Sequence, residues 1–425
     1  MSMAGGFLGG AHDRLLPASI PFRFFLSAAG FQVLAWAALL VAAGEVPGFR
    51  GGTGPVLAAI HLLTLGVLAM TAIGASLQLF PVVTRRALTR HWPGHLVFAL
   101  MLVGVSLLCW GMGAHRIAAM QLGAALTGTG LAGFALVTAG NLRGASAIPA
   151  VAAHGWLAMA SLLVVAGLGV LLVWDFADGF LAGHGAIATL HLVLAIFGFM
   201  GLLAFGLSLV LIPMFALSRS LPKGPDWGQL ALVALALVLV AASNLPGASW
   251  LFWPALAAGL GAAGLHLWLM ATTMKRRMRK RLGLSFRLIR ASWGLLVLGL
   301  LLIAAWGAGA PIPNAPALIV FVLLAGWLLT FLCGVLQRIL PFLASMHAAG
   351  KSGLPPLLSD LAGEGPLNLH ASCHFPALVL CAAGILLDQP MLIRLGAALG
   401  VVGAAGFAVF ALRIAAKLRR TVPAG

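Results

Sequence analysis

HLLTLGVLAMTAIGASLQLFP, residues 61–81, is the stretch whose reading decides the fold. Gly66 and Gly74 stand eight apart in it, and Pro81 follows seven later. The same spacing returns in HLVLAIFGFMGLLAFGLSLVLIP, residues 191–213, as Gly198, Gly206 and Pro213. It returns again in IVFVLLAGWLLTFLCGVLQRILP, residues 319–341, as Gly326, Gly334 and Pro341. The copies are 132 residues apart from Gly66 to Gly198 and 128 apart from Gly198 to Gly326. That period is far longer than the ~20–50 residues of a solenoid unit. It points to one membrane unit used three times.

The rest of the chain agrees. It is 62% hydrophobic and only 8% charged, with a mean hydropathy of +1.10, where a soluble domain carries about 25% charged residues. Apolar windows long enough to span the hydrocarbon core, ~20 residues, recur at 22–44, 55–80, 93–114, 118–140, 153–174, 184–214, 228–244, 249–272, 288–309, 315–342, 370–388 and 392–414. The expected fold is an all-α polytopic membrane protein of twelve transmembrane helices, arranged as three four-helix repeats with pseudo-threefold symmetry. Residues 1–425 form a single membrane domain, with repeats at approximately 20–145, 150–275 and 285–415. The motif falls in the second helix of each repeat, and the sixth and tenth spans read as unusually long. Each motif proline is expected to end its helix.

Charge sets the orientation. With the N-terminus inside, 22 of the 25 Lys and Arg fall on the cytoplasmic side, leaving Arg50, Arg116 and Arg394 opposite. The positive-inside rule then places both termini in the cytoplasm of a bacterial inner membrane. The net charge of +17 reflects this bias and an affinity for anionic headgroups. Spread over seven cytoplasmic segments, it does not describe a nucleic-acid site. The first twenty residues lack the compact apolar core of a cleavable signal peptide. Cys109, Cys333, Cys373 and Cys381 show no C-x-x-C pattern, so neither covalent haem nor a thiolate zinc site is expected; they read as buried small hydrophobes. The eight acidic residues fall in predicted loops or helix ends, and no carboxylate is available mid-membrane for a proton relay.

Glycines eight apart lie on nearly one helical face. The resulting groove admits either a neighbouring helix or a flat cofactor, and the sequence leaves both readings open. Gly66 and Gly198 are candidate cofactor contacts on the second.

Ionisable groups inside a membrane are costly and often functional. His61 lies five residues before Gly66, and His191 seven before Gly198; Ile319 and Phe321 stand at the corresponding places of the third copy. His184 shares a face with His191, two turns earlier. Neutral imidazole is a good haem or copper ligand, so His61, His191 and His184 are candidate ligands. His91 with His95, and His370 with His374, are H-x3-H pairs that open the third and eleventh spans. The spacing puts two imidazoles on one face. A metal site, a quinone-head-group site and plain interfacial polarity all fit, and His370 and His374 are carried as metal candidates. His154 and His266 read as structural. Arg338, three residues before Pro341, is placed either to snorkel or to meet an anionic group such as a propionate.

With these features assembled, the chain resembles subunit I of the haem-copper oxidases, in which twelve helices form three four-helix units. His61, in AAIHLLTLG, is similar to that family's low-spin haem ligand, and His191 falls on the helix that supplies a copper ligand there. The likeness is closer to the NnrS-type membrane proteins, through the glycine-rich motif helices and the Pro-containing ends QLFPVVTRR and QRILPFLAS. The resemblance implies an oxidase-like scaffold binding haem b, with copper as a second option, in electron transfer or the response to nitric oxide and redox stress. A quinol or a cytochrome would be the electron partner. The seventh span lacks the oxidase His-His pair, the tenth has no histidine and the chain has no tyrosine. A binuclear oxygen- or nitric-oxide-reducing centre is therefore not implied. Two other readings compete: a transporter of a neutral or metal substrate, and a cofactor-free assembly subunit of a membrane complex.

Overall fold

The computed structural model describes residues 14–88, 90–143, 145, 148–219, 222, 224–352 and 363–421, with the side chains of 349–352 and 421 left out. His12, Asp13, Lys223, Asp360 and the side chain of Lys351 lie outside that set. Among the described residues, twelve helices are long and apolar enough to cross a membrane. They are α1 Ser19–Gly44, α2 Pro55–Val83, α3 Trp92–Gly113, α4 Ile117–Leu142, α5 Pro149–Asp178, α6 His184–Ala216, α7 Pro225–Ser243, α8 Ser249–Lys275, α9 Gly283–Gly307, α10 Ala315–Ala348, α11 Glu364–Leu386 and α12 Pro390–Arg420. Among the described residues no strand forms; an isolated bridge joins Ser218 and Arg277.

A helix satisfies its own backbone, which lipid cannot do for it. Proline in the first turn opens α2, α3, α5, α7 and α10, where its missing N–H costs nothing. The motif helices α2, α6 and α10 form the centre. Their most apolar windows are 61%, 83% and 83% buried, against 17–50% for the other nine. α6 and α10 run to 33 and 34 residues, about 50 Å of rise, so they outrun the hydrocarbon core.

Each motif helix is packed by the helix just before it: α1 on α2, α5 on α6, α9 on α10. The glycines explain how. A Cβ on Gly66 would sit 2.7 Å from Phe31 Cγ, and one on Gly74 2.8 Å from Phe24 Cβ, both on α1. On Gly198 it would meet Ser161 Oγ at 2.9 Å, on Gly206 His154 Cβ at 2.6 Å, and on Gly334 the Ser285 carbonyl at 2.8 Å. Gly326 is looser, with Leu295 at 3.6 Å. The groove thus holds a neighbouring helix at these positions. Antiparallel pairs α3–α4, α7–α8 and α11–α12 pack outside, and α12 returns to α1.

One feature was not expected. Within α2, α6 and α10 the backbone widens to a π-helix at Leu62–Ala69, Leu194–Gly201 and Val322–Leu329. Gly66, Gly198 and Gly326 each stand fifth in their segment. π turns are rare and gather at functional sites. α10 meets both α2 and α6 through them.

Two expectations are corrected. Pro81 and Pro213 fall in the last turn of α2 and α6, but α10 continues past Pro341 to Ala348. Neighbouring helices sustain a proline-interrupted helix in a membrane, and Leu340, Leu343 and Ala344 here are fully packed. Similarly, α11 begins at Glu364, so His370 and His374 do not open it. They lie two to three turns inside, 0% and 2% exposed, where Gly403 and Gly406 bring α12 against them. His91 and His95 are exposed at the start of α3, as interfacial residues should be.

Candidate functional site

Before α2 the chain makes a turn that only glycine readily adopts. Gly51, Gly52 and Gly54 have φ of +118°, +96° and +142°. Thr53 Oγ1 lies 2.9 Å from His115 Nδ1 and anchors the turn to the α3–α4 connection. Pro55 then starts α2, and His61 stands immediately before the π segment.

His61 Nδ1 is 3.0 Å from the Leu57 carbonyl, one turn back. A carbonyl can only accept, so the proton is on Nδ1, and the Nε2 lone pair remains. His191, on α6, is held the same way from another helix: its Nδ1 donates to the Val165 carbonyl of α5 at 3.0 Å. Gly169, one turn beyond Val165, makes room for this ring, since a Cβ there would lie 3.0 Å from His191 Cε1.

Both rings border one cavity of about 490 Å³, within the ~300–1,000 Å³ usual for cofactor and small-ligand sites. α10 supplies a wholly apolar wall through Val320, Phe321, Leu324 and Leu328. Trp36 of α1 and Leu131 of α4 close other sides. His184 also borders the cavity, at the end where α6 begins. Its Nδ1 donates to Asp175 Oδ2 at 2.6 Å, while Asp175 Oδ1 accepts the Leu181 N–H at 2.6 Å. The Phe176 ring flanks it, with centroids 5.0 Å apart.

His61, His191 and His184 therefore all border one cavity, and the other candidates do not. Arg338 is at the opposite end of α10. Its Nε donates to Ser285 Oγ at 2.7 Å and its Nη2 to the Leu282 carbonyl, and the Phe286 ring lies 5.9 Å away. It ties α10 to the start of α9. Gly66 and Gly198 face α1 and α5 rather than the cavity. His370 and His374 form a separate buried pair, rings stacked 5.1 Å apart; Thr330 Oγ1 is 2.7 Å from His374 Nε2. Both nitrogens of His370 lack a hydrogen-bond partner.

His154 and His266 are joined through Gln229. Gln229 Nε2 donates to His154 Nε2 at 3.1 Å, His266 Nδ1 donates to Gln229 Oε1 at 3.2 Å, and His154 Nδ1 donates to the Ala150 carbonyl at 2.8 Å. His266 stacks on Phe205 at 4.1 Å. This chain locks α5, α7 and α8 together.

Arg50, Gly169 and Asp175 had no sequence signal as site residues. The nine-residue offset of Asp175 from His184 across a short loop was the one clue available. All four cysteines are buried and free. Among the described residues no three His, Cys, Asp or Glu side chains converge as a metal site. No family model matches the chain, and no curated protein matches it.

Proposed function

We propose that this protein is a haem-binding membrane protein on a haem-copper-oxidase-like scaffold. His61 and His191 are the ligands of one haem b, in electron transfer or the response to nitric oxide and redox stress. One observation carries the reading. Two imidazoles from different motif helices, each fixed through Nδ1 to a backbone carbonyl and with no hydrogen bond at Nε2 among the described residues, border the same apolar cavity.

The residues fit such a group. An Nδ1–H held by a carbonyl fixes the ring and strengthens Nε2 as a donor. Two imidazoles are too few for a protein-only ion site, which takes three or four protein ligands, but they suffice for a cofactor that brings its own equatorial nitrogens. Copper alone would need a further donor, and among the described residues no third His, Cys, Asp or Glu converges with these two. The apolar walls keep water from the site, and burial is one of the levers that set a redox potential. Haem bound here would supply one-electron chemistry. With both termini cytoplasmic, the cavity mouth faces the outer side of the inner membrane, within reach of a cytochrome there or of a quinol in the bilayer.

The test is a dithionite-reduced minus oxidised visible spectrum of detergent-purified protein expressed with haem available, with a pyridine haemochrome assay and metal analysis. Stoichiometric haem that is lost in His61→Ala and in His191→Ala, but kept in His91→Ala, is the expected result. A colourless, metal-free protein overturns the reading and returns the question to transport or assembly.

A further inference from the structure

The cavity has polarity along its length as well as depth. Among the described residues that line it, Arg50 is the only Lys or Arg and none is Asp or Glu. Arg50 is exposed at the mouth, in the turn that the three positive-φ glycines and the Thr53–His115 contact hold in place. Its hydrogen bonds, to the carbonyls of Phe49 at 3.1 Å and Pro47 at 3.5 Å, both leave from Nη1. The Nε and Nη2 donors stay free for another acceptor. Arg116 and Arg394, exposed residues of the same end of the bundle, do not line the cavity.

His61 lies six residues inside α2, about 9 Å of helix rise below Pro55. An occupant that touches His61 and reaches the mouth must therefore be apolar for most of its length and end near a guanidinium. A guanidinium presents parallel N–H donors that match a carboxylate.

We propose that Arg50 is the anion-recognising residue of this cavity, and that it selects an apolar ligand carrying carboxylate groups along the edge nearest the mouth, away from its His61 contact. The inference rests on the haem reading and adds the orientation of the bound molecule: acid groups toward Arg50, apolar edge toward the α10 wall.

The test compares haem with its dimethyl ester, in which both carboxylates are neutralised, on full-length protein in detergent. Wild type should bind haem about 10-fold more tightly than the ester, in line with a charge-assisted contact at a solvent-accessible site. Arg50→Gln should bind both alike, at the ester's level; Arg50→Lys should restore part of the preference. Arg116→Gln, which changes the same net charge away from the cavity, should keep it whole. Size-exclusion elution and helical circular dichroism of each variant check the fold. Equal binding of both ligands by wild type, or an unchanged preference in Arg50→Gln, overturns the assignment of Arg50 while leaving the haem site standing. Binding of neither ligand by wild type overturns both.

Discussion

Two sets of buried imidazoles in this protein use the same chemistry to different ends. In the α5–α7–α8 region, His154 uses both ring nitrogens, and Gln229 passes the chain on to His266. Little is left over, and the product is three helices held in register. Around the cavity, His61 and His191 each use one nitrogen to fix the ring and leave the other unbonded. A histidine in a membrane is therefore judged by its second nitrogen. Where that atom has a protein partner the ring ties helices together; where the ring borders a cavity with that atom unbonded, it is open to an occupant.

The comparison breaks first at the cavity. His61→Ala or His191→Ala should abolish the haem spectrum while thermal unfolding in detergent shifts little, because neither ring bridges helices through both nitrogens. Gly169→Val should come close to the same loss without touching a ligand. Even a Cβ there lies 3.0 Å from His191 Cε1, so the branched side chain displaces the ring; the absorption spectrum of Gly169→Val beside Gly169→Ala checks this.

In the closed chain the effects reverse. Gln229→Leu leaves a buried acceptor on His154 and a buried donor on His266 without partners. Each such group costs about 1–3 kcal/mol, so unfolding should come at lower temperature with haem content unchanged. Gly66→Ala should cost about 1–3 kcal/mol by overpacking against Phe31. The double variant with Phe31→Leu should recover part of that in the same melting assay. The smallest change is expected at His370. Both its nitrogens are buried and unpartnered, so His370→Leu should leave stability unchanged or raise it by about 1 kcal/mol, with no spectral effect. A loss of bound metal in that variant would show that the α11 pair holds something after all.

Much of this was legible because lipid imposes a simple rule. Apolar windows placed every span end within six residues, most closely for α3 and α6, because any shorter helix would strand backbone polar groups. His61 and His191 were readable as a pair because they hold similar places in two copies of one motif. Burial of the α11 histidines was not readable. NLHASCH, residues 368–374, follows Glu364 and Pro366 and looks like an interface, yet proline is at home in a first helical turn, and the glycines of α12 that cover the pair lie about thirty residues on. Arg50 and Gly169 were out of reach for the same reason: each matters through a cavity or a ring that another helix supplies. The glycine motif left packing and cofactor clearance open. Phe31 and Ser161, which face Gly66 and Gly198, come from α1 and α5 and carry no mark of that role in the sequence.

The return of α12 to α1 bears on how the protein is made. Each motif helix packs on the helix that entered the membrane just before it, so α1–α2, α5–α6 and α9–α10 can pair as the chain is synthesised. Trp36, which forms part of the cavity wall, fits over Gly400 of the last helix, where a Cβ would collide with its ring. That seat does not exist until α12 has been inserted. The cavity wall at Trp36 is thus set only once α12 has packed on α1, so a chain arrested before α12 would carry the cavity with that wall unsupported.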